Sequence, residues 1–551
     1  MIDRDIHLAR ALLVDNNALL RSVGAEQLRN AGVGTVVQAG RVKDARLMIE
    51  REAFDIIICN REFEGTEDSG QDLLDELRRE NQIPHSTIFL MVTSKATYSQ
   101  VMEAAEAALD GILVRPYTGA TLSQRLAEAR KRKRELDDIL RALDSGQTEL
   151  AMALALKRFR EQLPYATYCG RLVAELLLTL QRPADAKLVF DKLAQPSGAT
   201  WARLGVARCL LATGEVSSAT KAIQSVLADD PGSADAHDLM GRLLVEQCNF
   251  EGALVEYREA ATITPGCLLR NQHAGALAFY QGHGEASLKL LERALSLGVT
   301  SKLFDALTLL LIAILRHDAA DQPGVLSISE QMRRYGERFP ASRRLKRFCL
   351  ASEVLVALVS GKTDQAIECL HQLSAQLGDD DFDLEAANTV LMLWDRLPPT
   401  DRPGAEHAAL VERIGMRFCV SNAITEILVA SARRAEPATT LVRACRARVT
   451  ELAEQALDLA LKGDARAGVL VLLEAGEMTL NAKLLEMTSL LAKRHQTSLE
   501  DADALAARAS ATLARSCRAL NHIAGIQRSG RSPGGLQLRV RGEGQPDVAS
   551  A

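Results

Sequence analysis

The chain has 551 residues, of which 4% are aromatic, and its 66 basic and 71 acidic residues give a net charge of −5. This length predicts two or more domains. The lack of a basic excess argues against a nucleic-acid or membrane protein, and ten scattered cysteines without a CxxC pair argue against disulfide and zinc frameworks. A charged N-terminus and the lack of any long apolar stretch predict a cytoplasmic protein without signal peptide or membrane span.

Short apolar runs alternate with amphipathic helical patterns in residues 1–129. Strands are predicted at residues 11–14, 35–37, 55–60, 88–92 and 112–114. Helices are predicted at residues 17–31, 41–51, 71–80 and 98–108. Successive β-then-α units imply an α/β doubly wound, five-stranded parallel sheet with helices on both faces. Because ligands bind at the carboxyl ends of such strands, the residues that end the strands are the candidate site.

The strand ends carry a combination of residues that resembles the receiver domain of response regulators, over about 125 residues. The residues concerned are Asp15 and Asn16 after the first strand, Asn60 ending the third, Thr93 ending the fourth and Arg115 after the fifth. The resemblance implies a Mg²⁺ site made by acidic residues after the first strand. It also implies an aspartate that accepts a phosphoryl group at position 60, a Ser or Thr that contacts the phosphoryl oxygens at position 93, and a lysine at position 115.

This sequence departs from the receiver pattern at the positions that carry chemistry. An amide such as Asn60 is a far poorer nucleophile than a carboxylate. With Asn16 also an amide, only Asp15 remains as an acidic ligand, so we expect a weak or lost Mg²⁺ site and no other cofactor. Arg115 presents a rigid fork that could bind Asp15, which would make a self-neutralised pocket; the alternative is a decayed site without conformational consequence. A phosphorylated regulator would need a substitute acceptor such as Asp68.

Residues 130–145 continue the last predicted helix without Gly or Pro and predict a stiff helical connector. Its first five residues, 130–134, are all basic. Such a run could bind nucleic acid or anionic lipid. It is more typical of a solvated helix face near a helix C-terminus, where cations are favourable.

A repeat of 34 residues runs through residues 146–300. Small residues and a proline recur at matching offsets, as in Ala207, Ala219 and Pro231, and again in Gly241, Ala253 and Pro265. The pattern resembles the tetratricopeptide repeat (TPR), in which small residues let two antiparallel helices pack closely. Gly214 and Gly282 fall at the turn between the helices, and Asn249 occupies that turn in the intervening repeat.

The repeat resemblance implies an all-α solenoid whose concave groove holds a protein partner. Candidate groove residues are Arg171, Arg203, Arg208, His237, Arg242, Asn271 and His273. Residues 301–525 continue as degenerate helical repeats, ending in a helix predicted at residues 502–523. From residue 526 to 551, Gly, Ser, Pro and charged residues replace the apolar periodicity and predict a disordered tail.

The sequence contains no Walker loop, no HExxH motif and no His/Cys cluster at metal-ligand spacing. No set of residues therefore indicates an enzyme. The sequence predicts a two-component or phosphorelay-type signalling protein in which a pseudo-receiver and a TPR solenoid each bind protein partners. The alternative is a functional response regulator whose phosphorylation, by a route not visible in the sequence, controls the solenoid. No nucleic-acid or membrane partner is expected, and no oligomeric state is indicated.

Overall fold

The computed structural model describes residues 5–63, 70–79, 82–94, 110–195, 198–299, 301, 303–398, 400, 404–497, 499–517, 522–523 and 526–527. An α/β domain, residues 5–135, is followed by a helical domain, residues 137–517. The fold class predicted from the sequence, a parallel α/β sheet followed by helical repeats, is confirmed.

The α/β domain contains a five-stranded parallel sheet with strand order β2-β1-β3-β4-β5. The strands are β1 (Arg10–Val14), β2 (Thr35–Ala39), β3 (Ile56–Asn60), β4 (Ile88–Thr93) and β5 (Gly111–Val114). The described helices are α1 (Ala18–Asn30), α2 (Val42–Arg51), α3 (Gly70–Arg79) and α4 (Gly119–Glu135). The helix predicted at residues 98–108 lies outside the described residues.

The apolar run of β3 is buried on both faces of the sheet, as its composition predicts. Because side chains alternate along a strand, Ile57 and Cys59 join the apolar cluster formed with α2 and α3. Ile56 and Ile58 join the cluster on the opposite face, formed with α1 and α4. This two-sided packing fixes the depth of β3 and leaves its last residue, Asn60, at the carboxyl edge.

The helical domain contains 21 described helices, which pack mainly against their neighbours in the chain. The first eight are α5 (Asp137–Asp144), α6 (Thr148–Arg160), α7 (Ala166–Thr179), α8 (Pro183–Ala194), α9 (Thr200–Ala212), α10 (Val216–Asp229), α11 (Ala234–Glu246) and α12 (Phe250–Ile263). The next seven are α13 (Leu268–Tyr280), α14 (Gly284–Gly298), α15 (Leu307–Asp318), α16 (Gln322–Glu337), α17 (Arg343–Val359), α18 (Thr363–Ala375) and α19 (Leu384–Trp394). The last six are α20 (Gly404–Phe418), α21 (Asn422–Ser431), α22 (Glu436–Leu461), α23 (Ala465–Thr479), α24 (Ala482–Arg494) and α25 (Ala502–Ser516).

The connector is two helices, not the single stiff helix that the sequence suggested. Helix α4 ends at Glu135, and Leu136 leaves the helical conformation before α5 begins. Ile139 and Leu140 are fully buried in an apolar cluster with α6 and α7. Burial of these two side chains turns the connector into the first packing element of the helical domain.

Small residues stand where paired helices cross, as the repeat predicts. A Cβ atom at Gly205 would lie 2.4 Å from the Phe190 ring, so only glycine allows that approach. The hydroxyl of Ser287 donates a 2.8 Å hydrogen bond to the carbonyl of Gly275 on the facing helix. These contacts give the repeat its physical meaning: small residues set the distance between helices, within a unit for Ser287 and Gly275 and between neighbouring units for Gly205 and Phe190.

The turns between paired helices use the left-handed backbone region at matching positions of successive repeats. Gly214 has φ +81° and Gly282 has φ +86°, as expected of glycine. The intervening repeat places Cys248 in that conformation, with φ +60°, and not Asn249. Asn249 instead caps the next helix, its side-chain oxygen accepting a 3.1 Å hydrogen bond from the N–H of Gly252. The assignment of the turn to Asn249 was therefore wrong by one residue.

Five helices of the middle repeats close into a ring, which we call the inner ring: α13, α15, α17, α19 and α21. Each packs on the next, and α21 returns to pack on α13. Just beyond α21, the guanidinium of Arg433 donates a 3.1 Å hydrogen bond to the carbonyl of Phe279. The middle of the helical domain is therefore a closed ring, formed largely by the degenerate repeats of residues 301–525.

The end of the chain also differs from its prediction. The last helix ends at Ser516, whereas the sequence predicted a helix to residue 523. Two short strands follow, β6 (His522–Ile523) and β7 (Ile526–Gln527), which pair antiparallel. The remaining residues of the predicted tail, 528–551, lie outside the described residues.

Candidate functional site

The carboxyl edge of the sheet brings together the residues that end four neighbouring strands, which we call the edge pocket. Val14 of β1 pairs with Cys59 of β3, so Asp15 and Asn60 follow side by side. Thr93 of β4 pairs with Val114 of β5, which places Arg115 directly after it. The register of the parallel strands therefore brings these residues together at the carboxyl edge of the sheet.

Asp15 is an anion that is already bound within the chain. Its carboxylate forms an ion pair with the guanidinium of Arg115, and its side chain is 3% exposed against 23% for Arg115. The other carboxylate oxygen accepts a 2.8 Å hydrogen bond from the N–H of Asn17. Both oxygens of the one remaining acidic residue of the edge pocket are therefore engaged, and its charge is balanced.

Asn60 is held as a donor to the main chain. Its amide nitrogen donates a 2.5 Å hydrogen bond to the carbonyl of Glu62, and the residue is 7% exposed. A Cβ atom at Gly70 would lie 2.1 Å from the main-chain oxygen of Asn60, so the start of α3 approaches this strand end closely. Neighbouring Cys59 is fully buried in the core. The amide at position 60 is thus packed and partnered.

The two other residues of the edge pocket are Thr93 and Asn16. Thr93 ends β4 and is 1% exposed, and Asn16 is partly exposed after β1. Mg²⁺ prefers several carboxylate oxygens and water in a strict octahedron. The described donors are one carboxylate paired with a guanidinium and two amides, and this set does not fit Mg²⁺. Asp68, the substitute acceptor, lies outside the described residues.

The seven groove candidates of the TPR region mostly make contacts within the chain. Arg171 is fully buried with its guanidinium 4.4 Å from the centre of the Trp201 ring. Asn271 is 1% exposed and donates to the carbonyls of Pro265 and Cys267. Neither side chain can reach a ligand in this conformation.

The other candidates are closer to the surface and also have partners. Arg203 binds Asp229 at 2.7 Å, Arg208 binds Glu175 at 2.8 Å and His237 binds Glu256 at 2.6 Å. The ring of His273 packs edge-on against Tyr257, and Arg242 is partly exposed on α11. These pairs link successive helices, except that Arg208 with Glu175 joins α9 to α7, so they stabilise the stacking of repeats whether or not a partner binds there.

Residues 130–134 are divided between surface and interior, contrary to a solvated helix face. Arg132 and Lys133 both form ion pairs with Asp110, at 3.1 Å for Lys133, and both side chains are 12% exposed. Asp110 is also bound by the N–H of Phe89 at 2.8 Å. Two of the five cations are therefore committed to the fold.

This ion cluster belongs to a wider contact between the α/β and helical domains, which we call the junction. Its members are Arg78, His85, Asp110, Arg132, Lys133, Asp144 and Tyr168. His85 binds Asp144 of α5 at 2.7 Å, and Arg132 lies over the Tyr168 ring of α7 at 5.4 Å. The ammonium of Lys133 donates a 2.5 Å hydrogen bond to the carbonyl of His85.

Burial and charge act in opposite directions at the junction. Burial lowers the pKa of Lys133 to about 8, although Asp110 favours the charged form. Burial acts to raise the pKa of Asp110, but Lys133 and Arg132 overcome it and hold that pKa below its usual value. Burial also lowers the pKa of His85.

A second contact ties the two domains together at α3. The Glu76 carboxylate, with a side chain 2% exposed, binds Arg46 at 2.9 Å and accepts a 2.8 Å hydrogen bond from Ser301 of the helical domain. The C-terminal part of α3, the start of β4 and Asp110 before β5 all lie towards the edge where strands begin. These contacts of the helical domain therefore lie at the edge of the sheet opposite the edge pocket.

A partly buried ion cluster in the inner ring had no signal in the sequence. Arg344 of α17 binds Glu385 of α19 at 2.6 Å and Asp305 before α15, also at 2.6 Å. Burial raises the pKa of Glu385 to about 7, opposed by Arg344. The residues are about 40 positions apart with ordinary neighbours, so only the tertiary fold could bring them together.

Metal and membrane features were searched over the described residues. Within them, no three His, Cys, Asp or Glu side chains are grouped so as to hold a metal ion. No described helix has both the length and the apolar composition that a membrane crossing requires.

Comparison with known proteins finds two families along the chain. Residues 11–127 match the response regulator receiver domain, and residues 177–243 match the tetratricopeptide repeat. Chemotaxis protein CheY-3 of Vibrio cholerae is 31% identical over 117 residues, which are 21% of this chain and 88% of that protein. Chemotaxis protein CheY of Pseudomonas aeruginosa is 29% identical over 117 residues, 21% of this chain and 92% of that protein.

Solved structures of the same kind align with the α/β domain. The Vibrio cholerae chemotaxis response regulator CheY4 shares 25% identity, with 22% of this chain and 98% of that chain covered and a TM-score of 0.20. A response regulator receiver domain protein from Clostridium thermocellum shares 22% identity, with 23% and 98% covered and a TM-score of 0.21.

Proposed function

This chain belongs to the response regulator receiver family through residues 11–127, and from that membership we propose that it is a signalling adaptor with a pseudo-receiver. A pseudo-receiver here means a receiver domain that binds partners without a phosphorylation cycle. The tetratricopeptide repeats that follow extend the binding surface for protein partners. In this proposal the chain is not an enzyme. It acts in the cytoplasm, as a member of a two-component or phosphorelay network.

The observation that carries the proposal is the ion pair of Asp15 and Arg115 beside Asn60. A cluster of acidic residues is unstable without a metal, because like charges at short range repel. Here the single carboxylate has its own internal cation, so the pocket needs no metal to be stable. The amide at position 60 has no nucleophilic oxygen comparable with a carboxylate.

The same geometry argues that Mg²⁺ has no role at the edge pocket. A metal would have to displace the guanidinium of Arg115 from Asp15 and would gain only amide oxygens from Asn16 and Asn60. The junction, at the opposite edge of the sheet, supports a receiver domain that keeps one fixed orientation. Because the helical domain is fixed there by buried ion pairs, the edge pocket is presented to partners in a set orientation.

Nucleic-acid binding through residues 130–134 is not favoured. Arg132 and Lys133 are engaged with Asp110 and largely buried, so two of the five cations are committed to the fold and not to phosphate contacts. The runner-up is a functional response regulator. It would have to be phosphorylated elsewhere, with Asp68 as the candidate from the sequence, and the junction would have to carry the signal to the repeats.

The test compares the full chain with its Asn16→Asp/Asn60→Asp/Arg115→Lys variant, which restores the receiver pattern. Mg²⁺ is titrated with and without beryllofluoride, a phosphoryl mimic, and bound fluoride is followed by ¹⁹F NMR. A thermal melt runs in parallel, since a ligand of the folded state raises the melting temperature. Asp44→Asn, at a partly exposed position of α2, is the control for a charge change outside the edge pocket.

The proposal expects no bound beryllofluoride and no Mg²⁺-dependent shift in the natural chain and in the control. The restored variant should bind both, which would show that the fold itself is competent. Bound beryllofluoride in the natural chain would overturn the pseudo-receiver and favour the phosphorylated regulator.

A further inference from the structure

The loop that leads into β4, residues 84–87, is bound by charged side chains of its own domain, and we call it the entry loop. Arg78 of α3, which is 5% exposed, donates hydrogen bonds of 2.6 Å and 3.0 Å to the carbonyls at the two ends of the loop. Lys133 of α4 donates to the carbonyl of His85 between them. Two cations therefore lie on the main chain around this histidine.

His85 joins the entry loop to the helical domain. One carboxylate oxygen of Asp144, the last residue of α5, lies 2.9 Å from the main-chain nitrogen of His85 and 2.7 Å from its Nδ1. An ionised carboxylate only accepts hydrogen bonds, so Nδ1 carries a proton. The Nε2 atom is buried and has no hydrogen-bond partner among the described residues. This geometry fits a neutral imidazole whose single proton is on Nδ1.

A second proton on this ring would be poorly accommodated. It would sit on Nε2, where the described residues provide no acceptor, and an unsatisfied buried donor weakens a contact by a factor of about 5 to 100. Asp144 of α5 attracts the added charge, whereas Arg78 of α3 and Lys133 of α4 repel it. Burial lowers the pKa of His85 below its usual value, the two cations add to this effect, and Asp144 opposes it.

The other members of the junction keep their charge between pH 7 and pH 5.5. Burial acts to raise the pKa of Asp110 and of Asp144, but cations and hydrogen bonds overcome it and hold both values below the usual range. Burial lowers the pKa of Lys133 to about 8, so this amine is already mostly charged at pH 7. Burial raises the pKa of Tyr168, which stays neutral. The remaining members are arginines, so His85 is the junction residue whose charge changes in this range.

A break in the helical connector lies beside this contact. Leu136, between α4 and α5, has φ −107° and ψ 10°, so the last helix of the α/β domain and the first helix of the helical domain are separate. Asp144 ends the second of these helices, and His85 belongs to the sheet that packs on the first. The pair of His85 and Asp144 therefore restrains rotation about Leu136.

From the single proton that this geometry holds, the cations around it and the break at Leu136, we propose that His85 and Asp144 form an acid-sensitive latch between the two domains. At neutral pH the latch is closed and the orientation of the edge pocket is fixed. In acid, His85 gains a proton on Nε2, the entry loop leaves Asp144, and the α/β domain gains freedom about Leu136. This inference rests on the junction alone and stands whether or not the receiver is a pseudo-receiver.

The sign of the pH effect follows from the direction of the His85 shift. The docked state binds this proton less tightly than the undocked state does. The contact is therefore complete above the ordinary histidine pKa of 6.5 and weakens as the pH falls below that value.

The experiment measures hydrogen exchange by mass spectrometry in the full chain at pH 7 and pH 5.5. The test variant is His85→Asn, because the asparagine amide nitrogen can replace Nδ1 as the donor to Asp144 and does not titrate. The control is His371→Asn, at a side chain that is 43% exposed on α18. Chains are compared at the same pH, so the intrinsic effect of pH on exchange cancels.

At pH 5.5, peptides of residues 82–88 and 137–144 should exchange at least about fivefold faster in the natural chain and in the control than in His85→Asn. At pH 7 the three chains should exchange alike. Peptides of the inner ring should exchange alike at both pH values, which separates opening of the latch from unfolding of the chain. Equal exchange of the natural chain and His85→Asn at pH 5.5 would overturn the proposal.

A second measurement does not depend on the fold of the asparagine variant. NMR of the natural chain, labelled with ¹⁵N in its histidine rings, reports the protonation of each ring nitrogen as the pH is lowered. Asp144→Asn removes the charge that opposes the shift, so the His85 signals should titrate at a still lower pH in this variant, which identifies them. The proposal expects a neutral ring with its proton on Nδ1 at pH 7. A proton on Nε2 at pH 7, or histidine titrations that are all unchanged in Asp144→Asn, would contradict it.

Discussion

Replacing Asp110 with asparagine should destabilise the folded chain by about 3–5 kcal/mol, the usual cost of removing one partner from a buried ion pair. The Asp110 side chain is 1% exposed and pairs with both Arg132 and Lys133. Asparagine keeps the shape and can still accept the hydrogen bond from the Phe89 N–H. The variant therefore removes the charge while leaving two cations buried at the junction.

The pH dependence of that loss follows from Lys133. Burial lowers its pKa to about 8 in the folded chain, below its ordinary value of 10.5. A depressed pKa means that the folded state carries the charged amine at a cost below pH 8, and that deprotonation above pH 8 relieves this cost. Without Asp110 the pKa of Lys133 should fall further, so the variant should lose less stability at pH 9 than at pH 7.

Unfolding of the intact chain in guanidinium chloride, followed by circular dichroism, measures the loss of stability in Asp110→Asn. Repeating it at pH 7 and at pH 9 measures how that loss depends on pH. The control is Asp137→Asn, which breaks the exposed pair of Asp137 with Arg141 and should change stability by about 0.5 kcal/mol or less. A loss of under about 1 kcal/mol for Asp110→Asn at pH 7, or an equal loss at both pH values, would refute the assignment of the junction as a buried ion cluster.

Three further predictions concern the helical domain. Cys248→Gly should stabilise the chain by about 1 kcal/mol, because a non-glycine residue at φ +60° is strained in the left-handed region. Gly214→Ala, at the matching position of the preceding repeat, should destabilise the chain by a similar amount. Thermal melts of both variants test whether each stability change has the expected sign. Gly205→Ala forces a methyl group against the Phe190 ring and should cost about 1–3 kcal/mol, which Gly205→Ala/Phe190→Leu should partly restore in chemical unfolding. Burial raises the pKa of Glu385 to about 7, so the folded state binds the proton of this carboxyl more tightly than the unfolded state does. The free energy of unfolding should therefore fall as the pH rises from about 4.5 to 7. Chemical unfolding at several pH values should show a smaller decrease in Glu385→Gln.

Local pattern predicted most of the described strands and helices of this protein. Alternation of apolar runs predicted the strands of the parallel sheet, because a strand buried on both faces must be apolar throughout. The recurrence of small residues predicted the helix crossings, since a short side chain such as that of Gly275 sets how closely two helices approach. The identity of Asn60 was likewise visible from the sequence, because the end of a strand fixes which residue reaches the carboxyl edge.

Patterns failed where a polar residue has its partner far along the chain. The run at residues 130–134 looked solvated, and Arg171 and Asn271 looked like groove residues. In the structure Arg132 and Lys133 are buried against Asp110, and Arg171 lies over Trp201. A charged side chain can be buried only where an opposite charge or an aromatic ring packs against it. That partner lies far along the chain here, so the neighbouring residues in the sequence do not reveal it.

The sequence alone therefore determined the kind of protein: a receiver-type sheet with an amide at its acceptor position, joined to helical repeats. The tertiary structure decided how these parts are used. It paired Asp15 with Arg115, docked the helical domain opposite the edge pocket and closed the middle repeats into a ring. The physical reason is one of range. Backbone periodicity and packing distance are set within a few residues, whereas the pairing of buried charges and the closure of a ring depend on contacts between residues tens to hundreds of positions apart.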